Sequence, residues 1–368
     1  MFNALLDQLN ELRAKANLSQ PGSFEGLHKE VRGLFPVNFV IDGAKFELHS
    51  QHNRNFQTTH SFSWGSAQTP AGYHFGAMFA NNSMIMHGLV DNNGTLQARG
   101  HYNWIDLPQP AFPAHEDGPI VPNAEDAPKV QSTSKLQAQL TTQPGQSAIV
   151  LEHDHQGIDY SISAKAVNAN PFDVPSTSSP GTPTITGVFS LNYLQSISKS
   201  FSLGAEWTLQ RPYPDMSESA TSFALRYAPP AQVLPKPTSL PDSITESPYM
   251  PINPSDPTEV ATATYSPSSG MAHLSYWRRL NQRLEVGSEL QMLLTPQSKG
   301  ARREAVATVG FKFDTVFATI RSAVETTGRV TTVLEEKISP GISFQLNGEI
   351  DYAKGSAGRV GFGFTFEQ

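Results

Sequence analysis

The sequence predicts an all-β fold, a transmembrane β-barrel of about nineteen strands with an N-terminal helical segment in or near the lumen. Three observations carry that expectation. In the last ten residues, Phe362, Phe364 and Phe366 alternate with Gly361, Gly363 and Thr365. In an extended strand all three rings fall on one face, leaving glycine and a hydroxyl on the other. Rings in lipid and small residues toward a crowded or water-filled interior would produce this pattern. From Val37 onward, the chain reads as alternating segments of about ten residues divided by turn signals. Finally, no apolar run reaches ~18 residues, so a membrane could be crossed only by strands.

Residues 1–36 have a helical period. Phe2, Leu5, Leu6, Leu9 and Leu12 share a face, with Asp7, Gln8, Glu11 and Lys15 elsewhere. Asp7 and Glu11 argue against a secretory h-region and a cleavable presequence. Pro21-Gly22 breaks the pattern. A second short helix is expected near 24–35, with Phe24, Leu27, Val31 and Leu34 on one side, and Pro36 stops it. A barrel this wide could hold such a helix against its wall.

The barrel is expected over residues 37–367. Its segments run 37–49, 56–65, 72–80, 83–91, 95–105, 134–143, 147–155, 158–168, 186–197, 201–211 and 219–228. They continue 259–266, 271–280, 284–294, 302–314, 315–326, 329–338, 342–353 and 359–367. Turn chemistry marks several junctions: Asp91-Asn92-Asn93-Gly94, Pro144-Gly145, Gln156-Gly157 and Lys354-Gly355. An odd count is foreign to bacterial single-chain barrels but known in a mitochondrial channel. Three long stretches, 106–133, 169–185 and 229–258, are rich in proline and cannot join a sheet, so they read as solvated loops. Tyr102, Trp104, Tyr276 and Trp277, near strand ends, are expected in interfacial girdles.

Other functional classes find little support. The chain has 368 residues, no Cys, 16% charged residues and a formal charge of −7. Without Cys there is no disulfide framework, thiolate metal site or thiol nucleophile. The acidic balance, with no basic cluster interleaved with aromatics, argues against nucleic acid. His153 and His155 share a strand face but lack a third ligand nearby in sequence. Glu335 and Glu336 point to opposite faces, so they make poor acid/base partners. There is no nucleophile elbow, phosphate loop or helical HExxH; no enzyme activity and no cofactor or metal are expected.

Several blocks resemble a known family. These are Pro21 to Glu30 with Phe35-Pro36, Gly43-Ala44-Lys45-Phe46-Glu47-Leu48, and Gly94-Thr95-Leu96-Gln97-Ala98-Arg99. The C-terminal strand fits the mitochondrial sorting signal, polar-x-Gly-x-x-hydrophobic-x-hydrophobic, at Arg359, Gly361, Phe364 and Phe366. Over 21–367 the chain resembles the channel-forming subunits of the translocase of the mitochondrial outer membrane, in the eukaryotic porin superfamily. That resemblance implies nineteen strands closed by parallel pairing of the first and last. It implies a channel in the mitochondrial outer membrane for unfolded precursor proteins. Small single-span subunits and a receptor subunit would bind the lipid face, and barrels would associate with one another.

Targeting segments are amphipathic, Arg-rich and poor in acids, so their conduit should attract cations weakly. Strand parity places Glu47, Glu152, Asp154, Asp159, Glu206, Glu285, Glu289, Glu304, Glu325, Glu349 and Asp351 toward the interior, with Arg99, Lys165, Lys312 and Arg321 among them. A voltage-dependent anion channel-like small-solute porin would instead favour a basic lumen. A soluble all-β binding protein would need no detergent.

Overall fold

A computed structural model describes residues 18, 20–36, 42–65, 70–104, 130–142, 147–170, 185–213, 216–229, 257–293, 304–355 and 357–367. The first expected helix and most of the proline-rich stretches fall outside these residues. A single helical turn, α1 (Lys29–Arg32), precedes β1 (Gly43–Asn53), β2 (Phe56–Trp64), β3 (Gly72–Ala80), β4 (Met84–Asp91), β5 (Leu96–Asn103) and β6 (Gln131–Leu140). Next come β7 (Ala148–Gln156), β8 (Tyr160–Asn170), β9 (Thr186–Ser196), β10 (Phe201–Tyr213), β11 (Met216–Tyr227), β12 (Glu259–Ser266) and β13 (Met271–Arg279). The remainder are β14 (Leu284–Leu293), β15 (Glu304–Asp314), β16 (Ala318–Glu325), β17 (Arg329–Ser339), β18 (Ile342–Asp351) and β19 (Ala357–Glu367).

These strands form one nineteen-stranded sheet in which each pairs with its sequence neighbour and β1 also pairs with β19. A meander reverses direction at every strand, so with an odd number the first and last strands run the same way. Closure must therefore be parallel, and it is: Gly43 faces Gly361 and Leu48 faces Phe366. A closed sheet leaves no unpaired edge, the condition for strands to stand in hydrocarbon. Among the described residues, no helix is long and apolar enough to cross a membrane.

Strand positions follow the alternation read from the sequence, with shifts where it weakens. β1 continues to Asn53 through His49-Ser50-Gln51-His52, which is polar on both faces. β6 begins at Gln131, inside the stretch assigned to a loop, because no proline follows Pro128. The β4–β5 turn closes by Gly94 N–H donating to Asp91 O at 3.0 Å, with Gly94 at φ 78°, a conformation glycine adopts freely.

The expected helix over 24–35 is only one turn. Leu27 N–H donates to Phe24 O and Lys29 N–H to Gly26 O, three-residue closures tighter than an α-helix. Gly26 and Gly33 lower the helix propensity of so short a segment, and its order comes from packing. That packing lies inside the barrel, where Val31, Leu34 and Phe35 cluster with Val260, Trp277 and Ala323. The outside is a belt of exposed apolar side chains, among them Leu136, Leu151, Leu191, Trp207, Phe223 and Val309. Water does not tolerate apolar surface on this scale; hydrocarbon does.

Candidate functional site

The residues touching the docked segment identify the inner face, and strand register carries that assignment around the barrel, because paired residues share a face. From Glu25, whose Oε1 lies 2.6 Å from Lys165 Nζ on β8, the segment crosses the wall as far as β16. Leu27 packs on Leu194 of β9 and Ala224 of β11, with Phe24 beside them. Glu30 Oε1 lies 2.7 Å from Arg226 Nη2 on β11. Leu34 and Phe35 approach backbone where the wall is glycine. A Cβ on Gly287 of β14 would meet Leu34 Cδ1 at 2.6 Å, and one on Gly310 of β15 would meet Phe35 Cδ1 at 2.7 Å. Phe24, Leu27, Val31 and Leu34, the residues picked out from helical spacing, thus sit with the segment against the wall.

Between these contacts lies a buried polar node. His28 Nδ1 is 2.8 Å from both Ser275 Oγ and Thr262 Oγ1, and those two hydroxyls are hydrogen-bonded to each other. Its ring stacks on His273, with centroids 3.7 Å apart and planes 22° apart. His273 Nε2 is 2.6 Å from Glu289 Oε1, an ion-pair distance, but angled away from hydrogen-bond geometry. Burial, then the charge of His273 and then Arg32, lower the His28 pKa to about 4.

Among the described residues the segment 24–35 covers β8 to β16, and Gln20 reaches Gln156 of β7 at 3.1 Å. On the inner faces of the other strands Glu152, Asp154, Val333, Asn347 and Glu349 are buried as well. Register puts Glu47, Glu152, Asp154, Glu206, Glu285, Glu289, Glu304, Glu325, Glu349 and Asp351 on the inner face. Most meet a base. Glu47 lies 2.6 Å from Lys45 and Glu152 2.7 Å from Lys135, which also bonds Asp154. Glu285 is 3.0 Å from Arg279, Glu325 3.2 Å from Arg329, and Glu349 4.0 Å from the same guanidinium. Glu206 has no ion pair among the described residues and lines a recess with Phe24, Glu25 and His28. Glu304 opens β15 and Asp351 ends β18, so both stand at strand ends. Asp159 is not on a strand. It is buried in the β7–β8 turn, where its carboxylate accepts from Gln195 Nε2 at 2.9 Å.

Sequence reading gave no lumen role to Lys45, Lys135, Arg226, Arg279 and Arg329, although the parity that selected the acids applies equally to them. It also put Trp277 in an outer girdle, which the structure corrects. Tyr276 and Trp277 are adjacent on one strand, so only one can face out. Tyr276 does, while Trp277 is 5% exposed and packs against Val31, Leu34 and Phe35. Tyr102 and Trp104 share the outer face, edge to face at 5.1 Å.

In β19, Arg359 lies opposite Glu349, and Gly361 is buried between Asn347 and Gly43. Phe364 and Phe366 stand on the outer face, 5.0 Å from Phe344 and 5.1 Å from Phe46. His153 is also outward, bonded to Ser134 Oγ at 2.9 Å. Among the described residues no group of His, Asp and Glu could hold a metal ion. Beyond Phe35 a recess of about 460 Å³ is lined by Arg32, Glu289, Glu325, Arg329 and Glu349, a mixed-charge pocket on the inner face.

The eukaryotic porin family model matches residues 20–107 and 124–363. The mitochondrial import receptor subunit TOM40 of Saccharomyces cerevisiae is 27% identical over 98% of this chain and 81% of its own length. The Neurospora crassa protein of that name is 23% identical over 100% of this chain and 89% of its own length. The Drosophila melanogaster TOM40 homolog 2 is 27% identical over 98% and 87%.

Proposed function

This chain belongs to the eukaryotic porin family, and from that premise we infer that it is the protein-conducting channel of mitochondrial import in the outer membrane. The observation that carries this reading is similarity, at 23–27% identity over nearly the whole chain, to import receptor subunits from three organisms, on a closed barrel whose inner face is lined by acids and bases. A chain threaded through must be held weakly enough to move on. Solvated ion pairs, worth ~0–1 kcal/mol each, supply such holding. Acids paired with wall bases keep further carboxylate lone pairs that can accept from the Lys and Arg of a targeting segment.

On the strands outside the stretch covered by segment 24–35, Glu47, Glu152, Asp154, Glu349 and Asp351 would be the acids met by the substrate. Glu206, Glu285 and Glu289, on strands covered by the docked segment, would act more through the field they add. Small single-span subunits and a receptor subunit would dock on the apolar outer belt, and barrels would associate there. Arg359, Gly361, Phe364 and Phe366 would serve as the address for insertion.

The test is conductance of the refolded protein in a planar bilayer. A large cation-preferring pore that flickers shut with a basic amphipathic peptide, and not with an acidic control, supports the reading. A peptide-insensitive, anion-preferring pore points to small solutes and overturns it.

A further inference from the structure

The buried node at His28 has a property that precursor conduction does not require. Two imidazoles face each other at 3.7 Å in a site where His28 is 7% exposed. Were both to carry protons, two like charges would be stacked with little water between them, and among the described residues one carboxylate, Glu289, lies against the pair. Other charges around His28 add to the repulsion or are already committed. Arg32 follows it on the same segment, Arg226 of β11 is engaged by Glu30, and Glu25 is engaged by Lys165 of β8. Glu206 of β10 lines the adjoining recess, while β12 presents only the hydroxyls of Thr262 and Thr264.

We propose that the His28–His273 stack is a proton-sensitive latch that holds the lumenal segment 24–35 to the barrel wall at neutral pH and loosens it as the pH falls. The latch is central to the docked segment. Leu27 on one side and Val31, Leu34 and Phe35 on the other pack against the wall around it. Because the segment occupies the β8 to β16 side, its release changes the bore and charge of the lumen.

The sign follows from linkage. The undocked His28 titrates at the ordinary value of 6.5 and the docked one at about 4. Undocked protein therefore binds more protons between those values, and docking weakens as the pH falls through that window. With these two values, the docking equilibrium drops about 30-fold between pH 7.5 and pH 5.

Hydrogen exchange on the full-length protein in lipid nanodiscs reads this directly. The amides of Arg32, Gly33 and Leu34 are bonded within the segment, and their protection measures its opening. After correction for intrinsic exchange, wild-type protection should fall about 30-fold from pH 7.5 to pH 5, and His28→Gln should show no such fall. Unchanged wild-type protection, or an equal fall in His28→Gln, overturns the latch. Should His28→Gln be unprotected already at pH 7.5, His273→Gln decides, since it keeps His28 but removes the facing imidazole. A reduced pH response in that variant supports the latch, and a full wild-type response refutes it. The readout is independent of whether the pore conducts precursors, so the two readings fail separately.

Discussion

Gly287→Ala should push the lumenal segment off the wall, and Leu34→Ala should relieve it. The added Cβ would stand 2.6 Å from Leu34 Cδ1, 3.0 Å from Tyr276 O and 3.6 Å from Val31 Cγ2. Carbon–carbon contacts are comfortable at about 3.5–4.0 Å, so Leu34 would have to retreat by about 1 Å. It has little room, being fully buried in the cluster with Trp277 and Val260. Overpacking of this kind costs ~1–3 kcal/mol, which weakens docking by about 5- to 150-fold. Leu34→Ala alone should cost ~2–5 kcal/mol, through lost burial and the cavity left behind. In the double variant the new methyl fills space that the leucine vacated, so the two costs should fall short of their sum by at least ~0.5 kcal/mol. The assay is protection of the Arg32 to Leu34 amides at pH 7.5 in the four proteins of the cycle, with melting of the barrel followed in parallel. Additivity within ~0.3 kcal/mol would refute the argument that glycine at this position exists to admit the segment.

Two further expectations use the same readout. Glu30→Gln leaves the Arg226 guanidinium half-enclosed without its carboxylate and should loosen the segment by ~1–3 kcal/mol; the reversed pair Glu30→Arg with Arg226→Glu should recover part of the loss, and no recovery would mean the pair is incidental. Trp277→Ala should lower segment protection by ~3 kcal/mol, whereas Tyr276→Ala, one residue away on the outer face, should leave it unchanged; equal effects would contradict the facing of β13.

Much of this architecture was legible in the sequence, because the relevant signal is covalent and local. An extended chain turns its side chains over at every residue, so Ile342, Phe344 and Leu346 separate from Ser343, Gln345 and Asn347 with no knowledge of any partner. The same rule found the inner acids on the strands. It placed Asp159 on a strand, whereas the residue precedes β8 and serves the turn, and it did not separate Tyr276 from Trp277, where both faces offer an aromatic. It also says nothing about pairing. Glu47 and Lys45 are close in sequence, but Lys135 reaches Glu152 and Asp154 only through the register of β6 on β7.

The sequence by itself determined most strand positions and the lipid-facing aromatic rows, and the parallel seam between β1 and β19 was implied by the family resemblance. The tertiary structure alone decided which wall the segment 24–35 occupies. That choice rests on contacts such as His28 with Ser275, 247 residues apart, and on gaps left by Gly287 and Gly310 that match Leu34 and Phe35. The fit depends on shape and charge between surfaces assembled only after nineteen strands have closed, and no periodicity along the chain encodes it.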